Sequence, residues 1–240
     1  MTSTSTSTTF DVEAPDESRI QAFAERLLGK YADGMATLMI DLGHRCGLFE
    51  NLAASGGTSQ EIAERAGATE RYVREWLGAI VTAGIAEYDP VTRRYTLPVE
   101  HALCLSGPGS LNLAPMSRLV TLLAQHVTGV ARAVQEGGGV PYSAFRPEFT
   151  DAMDQTSRGF FDGQLIEGLL PLAGDLPSRL ATGLRVADIG CGTGHAINLM
   201  ARAFPRSTFT GYDIADDAIA GAREEARRWG LQNAVSRSAT

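Results

Sequence analysis

Apolar residues return at helical spacing from Arg19 to Arg45 in two successive sets: Ile20, Phe23, Ala24, Leu27 and Leu28, then Met35, Leu38, Met39 and Leu42. Each set lies on one helical face, so the spacing predicts two packing helices. Thr58 to Glu61 has the form of a capping box, opening a short helix with Ile62, Ala63 and Ala66 inward and Gly67 at its end. Thr69 caps a further helix. One face of it carries Val73, Leu77, Ile80, Val81 and Gly84, the other Glu70, Arg71, Arg74 and Glu75. Two β-rich runs follow, Ile85 to Tyr88 and Arg94 to Leu97, joined by a turn at Asp89 and Pro90. Helix, turn, helix and hairpin in that order make a winged helix.

Beyond it, Met116 to Val134 places Leu119, Val120, Leu123, Val127 and Val130 on one stripe of a bridging helix, which the run Gly137 to Gly139 ends. Leu165, Ile166, Leu169 and Leu170 predict a helix packed on a sheet ahead of its first strand. Strand and helix then alternate. Val186 to Ile189 and Thr208 to Tyr212 read as strands, and Ala234 to Ser236 hints at a third. Between them lie helices at His195 to Phe204, with Ile197, Met200 and Ala203 on one face, and at Asp216 to Trp229, with Ile219, Ala222 and Ala226 inward. This alternation predicts a parallel sheet. The fold class is therefore mixed: an α-helical winged-helix domain, then the first part of an α/β Rossmann-like parallel sheet. Four parts result: a disordered tail at 1–15, the winged-helix domain at 16–106, a helical bridge at 107–182 and a partial sheet domain at 183–240.

Composition narrows the range of partners. With 240 residues, 44% hydrophobic and 20% charged, the chain can bury a substantial core. A net charge of -7 argues against a general binder of nucleic acid or acidic membrane. The winged helix itself is neutral, with six acids and five bases between Thr58 and Leu97, so DNA is not its expected partner. No apolar run approaches the ~18 residues of a membrane span, and the polar opening MTSTSTSTTF is not a secretory signal. Cys46, Cys104 and Cys191 are widely spaced, give no metal-ligand pattern, and suit a reducing cytoplasm.

The chemistry concentrates in VADIGCGTGH, Val186 to His195. A strand delivers Asp188, then Gly190, Gly192 and Gly194 turn the backbone tightly at the mouth of a helix, with Cys191 inside the turn. The next strand delivers Asp213, 23 positions after Gly190, followed by Ile214. An acid about 20 residues after such a turn is placed to accept from both ribose hydroxyls of a nucleoside cofactor. The dinucleotide fingerprint needs a small residue where His195 stands and fits poorly. The pattern Asp-x-Gly-x-Gly-x-Gly resembles the first motif of the class I S-adenosylmethionine-dependent methyltransferases. LFENLA at Leu48 to Ala53, ERYVREWL at Glu70 to Leu77 and GGGVPYSAF at Gly137 to Phe145 extend the resemblance, from about residue 20 onward, to a bacterial branch of small-molecule methyltransferases with an N-terminal winged helix. The resemblance implies S-adenosylmethionine as cofactor, held by Asp188, Gly190, Cys191, Gly192, Gly194, Asp213 and Ile214. It also implies a small-molecule acceptor and a homodimer formed through the N-terminal domain. The alternative is a winged-helix regulator or dimerisation module with a vestigial cofactor site.

Tyr142, Phe145, Phe160 and Phe161 gather ahead of the first strand and read as core, or as a wall for cofactor or acceptor. Arg146 reads as an exposed arginine, or as a partner for an acceptor carboxylate. His44, His101, His126 and His195 have no partner at hydrogen-bond spacing in the sequence and read as structural, so no general base is assigned. The resemblance implies seven strands over about 150 residues, and only three can be read here. On that ground the chain is expected to be a fragment, an early stop or an incomplete gene model, weakly active or inactive.

Overall fold

The computed structural model describes residues 15–239. The expected disordered tail falls outside these but for its last residue. α1, Glu17–Arg45, is one helix of 29 residues, not two. Asp16 caps it, its carboxylate accepting from the N–H of Ser18 at 2.9 Å and of Arg19 at 3.3 Å. Both apolar sets therefore share one helix, because Gly29 and Gly34 between them weaken it without stopping it. Their expected role as packing faces is corrected: Ile20, Phe23, Leu28, Tyr31 and Met35 are all more than half exposed. Packing begins only near the C-terminal end, at Met39 and Ile40.

α2 (Leu48–Ser55), α3 (Ser59–Ala66) and α4 (Glu70–Thr82) surround the first core, closed by the antiparallel hairpin β1 (Glu87–Asp89) and β2 (Arg94–Thr96). The capping box at Thr58 forms in both directions, and Gly67 ends α3 in the left-handed region. Thr69 stands at the N-cap of α4 without a side-chain hydrogen bond. Val73, Leu77 and Ile80 are buried, but Gly84 lies exposed in a left-handed turn. Trp76, absent from the predicted face, is the largest buried side chain. Its indole N–H donates to the Met39 carbonyl at 2.8 Å, and its ring stands edge-on to Phe49. Gly43 makes this possible, since a Cβ there would lie 2.6 Å from the Trp76 ring.

After α5 (Val99–Leu105), the predicted bridging helix is two, α6 (Ala114–Ala124) and α7 (Val127–Glu136). The predicted stripe is not the packed one: Val120, Leu123, Val127 and Val130 are exposed, whereas Ala114, Pro115, Ser117 and Leu122 are buried. The break falls at His126, whose ring stacks on Phe145 at 4.0 Å; Val127, Thr128 and Gly129 beyond it are poor helix formers. α8 (Glu148–Gln164) runs into a π turn (Leu165–Leu169) and a 3-10 turn (Leu170–Ala173), and α9 (Leu176–Thr182) follows. It is α9, through buried Leu180, that packs the sheet ahead of its first strand, with Leu170 beside it.

β3 (Arg185–Ile189), β4 (Thr208–Asp213) and β5 (Ala234–Ser238) form a parallel sheet in the order β3-β4-β5. α10 (His195–Ala203) and α11 (Asp216–Arg228) make the crossovers. Ile219, Ala222 and Ala226 of α11 are buried as predicted; on α10 Ile197, Leu199 and Ala201 are buried and Ala203 is exposed. The register sets Asp188 opposite Gly211 and Ile189 opposite Tyr212, bringing Asp188 and Asp213 to the same carboxyl end of adjacent strands.

Candidate functional site

The glycine turn is held from the next strand. The Tyr212 carbonyl accepts from the N–H of Gly190 at 2.7 Å and of Cys191 at 3.0 Å. Gly190 and Gly192 both take positive φ, and nothing lies within 4 Å of where a Cβ would stand, so the backbone is open on that side. Gly194 is different. It occupies the left-handed N-cap of α10, and a Cβ would come 2.5 Å from the Ala222 Cβ, so this glycine serves helix packing. Cys191 points at β4, where Gly211 has no Cβ to meet its sulfur. Burial, with Asp188 and Asp213 adding to it, pushes the Cys191 thiol up to about 11, which removes it as a nucleophile.

Asp213 is tied to the turn itself. One carboxylate oxygen accepts from the Gly192 N–H at 2.8 Å and the other from the Ala215 N–H at 2.8 Å, and each keeps a lone pair for a further donor. Asp188 faces the same space. Burial and the Asp213 charge raise its pKa above the ordinary carboxylate value. A cavity of 370 Å³ joins these groups, with Asp188, Gly190, Cys191, Gly192 and Asp213 on one side. On the other stand Tyr142, Phe149, Met153 and Phe161, carried by α8 and the turn before it. Of the residues named from sequence, Ile214 is exposed and lies outside this lining, and Gly194 sits behind it.

Two of the four aromatics, Tyr142 and Phe161, therefore wall the cavity, and none of the four is buried core. Arg146 does neither thing expected of it: its guanidinium pairs with Asp217 at the start of α11. Burial pushes the Asp217 carboxyl up, but the hydrogen bond from Arg146, backbone N–H groups at the start of α11 and the Arg146 charge together hold the group below its ordinary value.

His195 departs furthest from its reading as an isolated histidine. It is buried, with Nε2 2.9 Å from Asp162 Oδ1 and Nδ1 3.0 Å from Glu225 Oε1. Arg158 completes the group, its Nη1 donating to Glu225 Oε1 at 2.6 Å. Burial opposes the Glu225 charge, but hydrogen bonds from His195, Arg158 and Asn198 prevail and bring its pKa down to about 2. The sequence signal for this cluster is Asp154, Arg158 and Asp162 at successive i,i+4 positions, one charged stripe along α8.

The residues fit a nucleoside that carries positive charge. A cation entering the cavity would relieve the repulsion between Asp188 and Asp213, and the open glycine backbone leaves room for a chain to pass. Two family profiles match the sequence: the Rv2258c-like winged HTH domain at residues 34–107 and a methyltransferase domain at residues 180–238. No curated protein matches it. Among solved structures, the mitomycin 7-O-methyltransferase MmcR is similar, with a TM-score of 0.62 and 20% identity over 93% of this chain and 68% of its own. PigF with SAH gives 0.65 and 18% over 92% and 66%. NcsB1, an O-methyltransferase from neocarzinostatin biosynthesis in complex with S-adenosylmethionine and 2-hydroxy-5-methyl naphthoic acid, gives 0.60 and 19% over 87% and 65%. The chain thus spans about two thirds of the length of the structures it matches. A stretch matching a winged helix-turn-helix domain precedes one matching a methyltransferase domain, in the fold shared by these structures.

Proposed function

We propose that the chain binds S-adenosylmethionine and belongs to an O-methyltransferase of small, largely apolar acceptors. The observation that carries this is the cavity itself, two carboxylates and an open glycine turn facing an aromatic wall. The bound cofactor supplies an electrophilic methyl group. Asp213 takes the ribose hydroxyls with the lone pairs its backbone contacts leave free. Gly190, Cys191 and Gly192 let the methionine portion run against the main chain, and Asp188 takes its ammonium group. Ile214, exposed beside Asp213, offers apolar surface to the purine. Tyr142, Phe149, Met153 and Phe161 hold the acceptor body and exclude water, leaving positioning as the main contribution to rate. NcsB1 carries a naphthoic acid, and an aromatic acceptor presenting a hydroxyl suits the wall seen here.

The winged helix supports this reading over a DNA-binding one. Three of its five bases are engaged within the protein: Arg94 with Glu61 at 3.0 Å, Arg74 with Glu70 at 3.7 Å, and Arg65 with the carbonyls of Asn51 and Gly56. A duplex reader needs such groups for phosphates. Homodimerisation belongs to the same proposal. The uncovered face of α1 is one apolar surface, and a 490 Å³ groove lined by Ile40, Ile85, Leu105, Met116 and Val120 is another. Weak turnover by the chain alone is also proposed, since its described residues wall the cavity from the turn and the α8 side only.

Titration calorimetry with S-adenosylhomocysteine tests the core of the proposal. Binding is expected, and Asp213→Ala should weaken it by about 1 to 3 kcal/mol through loss of charged hydrogen bonds. Absence of binding by the wild-type chain would overturn the reading.

A further inference from the structure

The ion cluster that borders the cavity through Asp154, Thr193 and His195 is not used by the proposed binding, yet it reaches the glycine turn. Arg158 is its hub. Its Nε and Nη2 both donate to Asp154, each at 2.9 Å, in a bidentate fork, and Nη1 donates to Glu225. Asp154 in turn accepts from the hydroxyl of Thr193, inside the glycine turn. Glu225 is anchored from the other side by His195 and by Asn198, whose amide donates to it at 3.1 Å. A continuous chain of contacts therefore runs from buried Glu225 on α11, through one guanidinium on α8, to the turn that lines the cavity.

Apolar packing does little to hold α8 in this place. Only Thr150 and Ala152 of its 17 residues are buried. Gly159 and Gly163, next to Arg158 and Asp162, let the loop at Gly109 and Ser110 approach closely, with 3.1 and 3.2 Å to where a Cβ would stand. The side that faces the sheet helices is thus fixed by charge. Without Arg158, Asp154 would also stand as a third uncompensated carboxylate beside Asp188 and Asp213 in the same cavity.

We propose that Arg158 is a positioning residue that docks α8 onto the cofactor turn, so that the Glu225–Arg158–Asp154–Thr193 relay sets the order of the turn and the affinity for cofactor. The proposal rests on the cofactor reading above for its ligand but not for its structural half. Glu225→Gln is the sharpest probe, because Glu225 lies outside the cavity lining and the change is isosteric.

Hydrogen exchange on the ligand-free chain should show the amides of the 190–193 turn and of α8 exchanging at least fivefold faster in Glu225→Gln and in Arg158→Met, with those of α3 and α4 unchanged. S-adenosylhomocysteine affinity should fall at least fivefold in Glu225→Gln, and this loss should shrink to less than twofold in a Thr193→Val background, since one relay cannot be cut twice. Uniform exchange across the protein, or full additivity of the two losses, would overturn the relay and leave the cluster a general structural ion group. If the wild-type chain binds no ligand, the cofactor reading fails, and exchange in the turn still decides the docking role. Should Arg158→Met not fold, Glu225→Gln carries both measurements.

Discussion

Asp188 shows at one residue how a site can work against its own fold. Burial and Asp213 raise its pKa, so the folded chain binds a proton more readily than the unfolded chain does. The stability this gives is complete below the ordinary carboxylate value of 3.8 and is lost as pH rises through the raised folded value. At neutral pH the ionised group is therefore a cost, relieved when a cation sits beside it. Asp188→Asn should raise the thermal midpoint of the ligand-free protein at pH 7 while weakening binding of S-adenosylmethionine. Calorimetry in buffers of different ionisation enthalpy should find proton release on binding at acid pH, above the ordinary carboxylate value of 3.8, in the wild type and none in the variant. A variant that is both less stable and equally tight would remove Asp188 from the site. That these residues would converge was legible in the sequence because the turn is local: Asp188, Gly190 and Gly192 lie within five positions, and a single crossover brings in Asp213. The partners of His195 were not, since Asp162 and Glu225 stand 33 and 30 positions away on other helices.

Among the elements, those whose pattern answers to their own core were read correctly, and those that answer to a distant surface were not. The capping box of α3 depends on neighbours a few residues away, and the inward face of α11 on the two strands that flank it in sequence. The bridging helix breaks in two where His126 meets Phe145, a tertiary contact that helical spacing does not encode. Gly194 illustrates the same limit in a residue that was singled out. Its spacing marks it as part of the cofactor turn, whereas its surroundings make it the contact between α10 and α11. Gly194→Ala should therefore act first on stability, through a clash with Ala222 and a left-handed φ of 71°, at about 2 to 4 kcal/mol. Chemical denaturation would measure this. Gly192→Ala, with φ of 54° and open space around it, should cost only the strain of about 1 to 2 kcal/mol. Equal losses for the two would mean that packing on Ala222 does not govern Gly194.

For the molecule as a whole, the pattern along α1 carries information that one chain does not use. Its apolar residues keep helical spacing for 29 residues, yet the stretch from Ile20 to Met35 meets no core among the described residues. The groove at Ile85, Leu105 and Met116 is apolar and unfilled, and it lies against the same helix at Thr37 and Ile40. A rigid helix rising about 1.5 Å per residue cannot fold its first turns back onto its own later ones. The two surfaces can meet only between chains, which is the physical basis of the dimer proposed above. At roughly 25 cal/mol per Å² of apolar surface, burying several such side chains on each protomer works against the cost of association. Phe23→Asp with Leu28→Asp should convert a dimer to a monomer in light scattering at micromolar concentration. Both residues are exposed and belong to no core cluster among the described residues. The thermal midpoint of the monomer should then become independent of protein concentration, whereas that of the wild type should rise with it. A wild-type chain that is monomeric throughout, with a midpoint indifferent to concentration, would show that the apolar face of α1 serves some other contact.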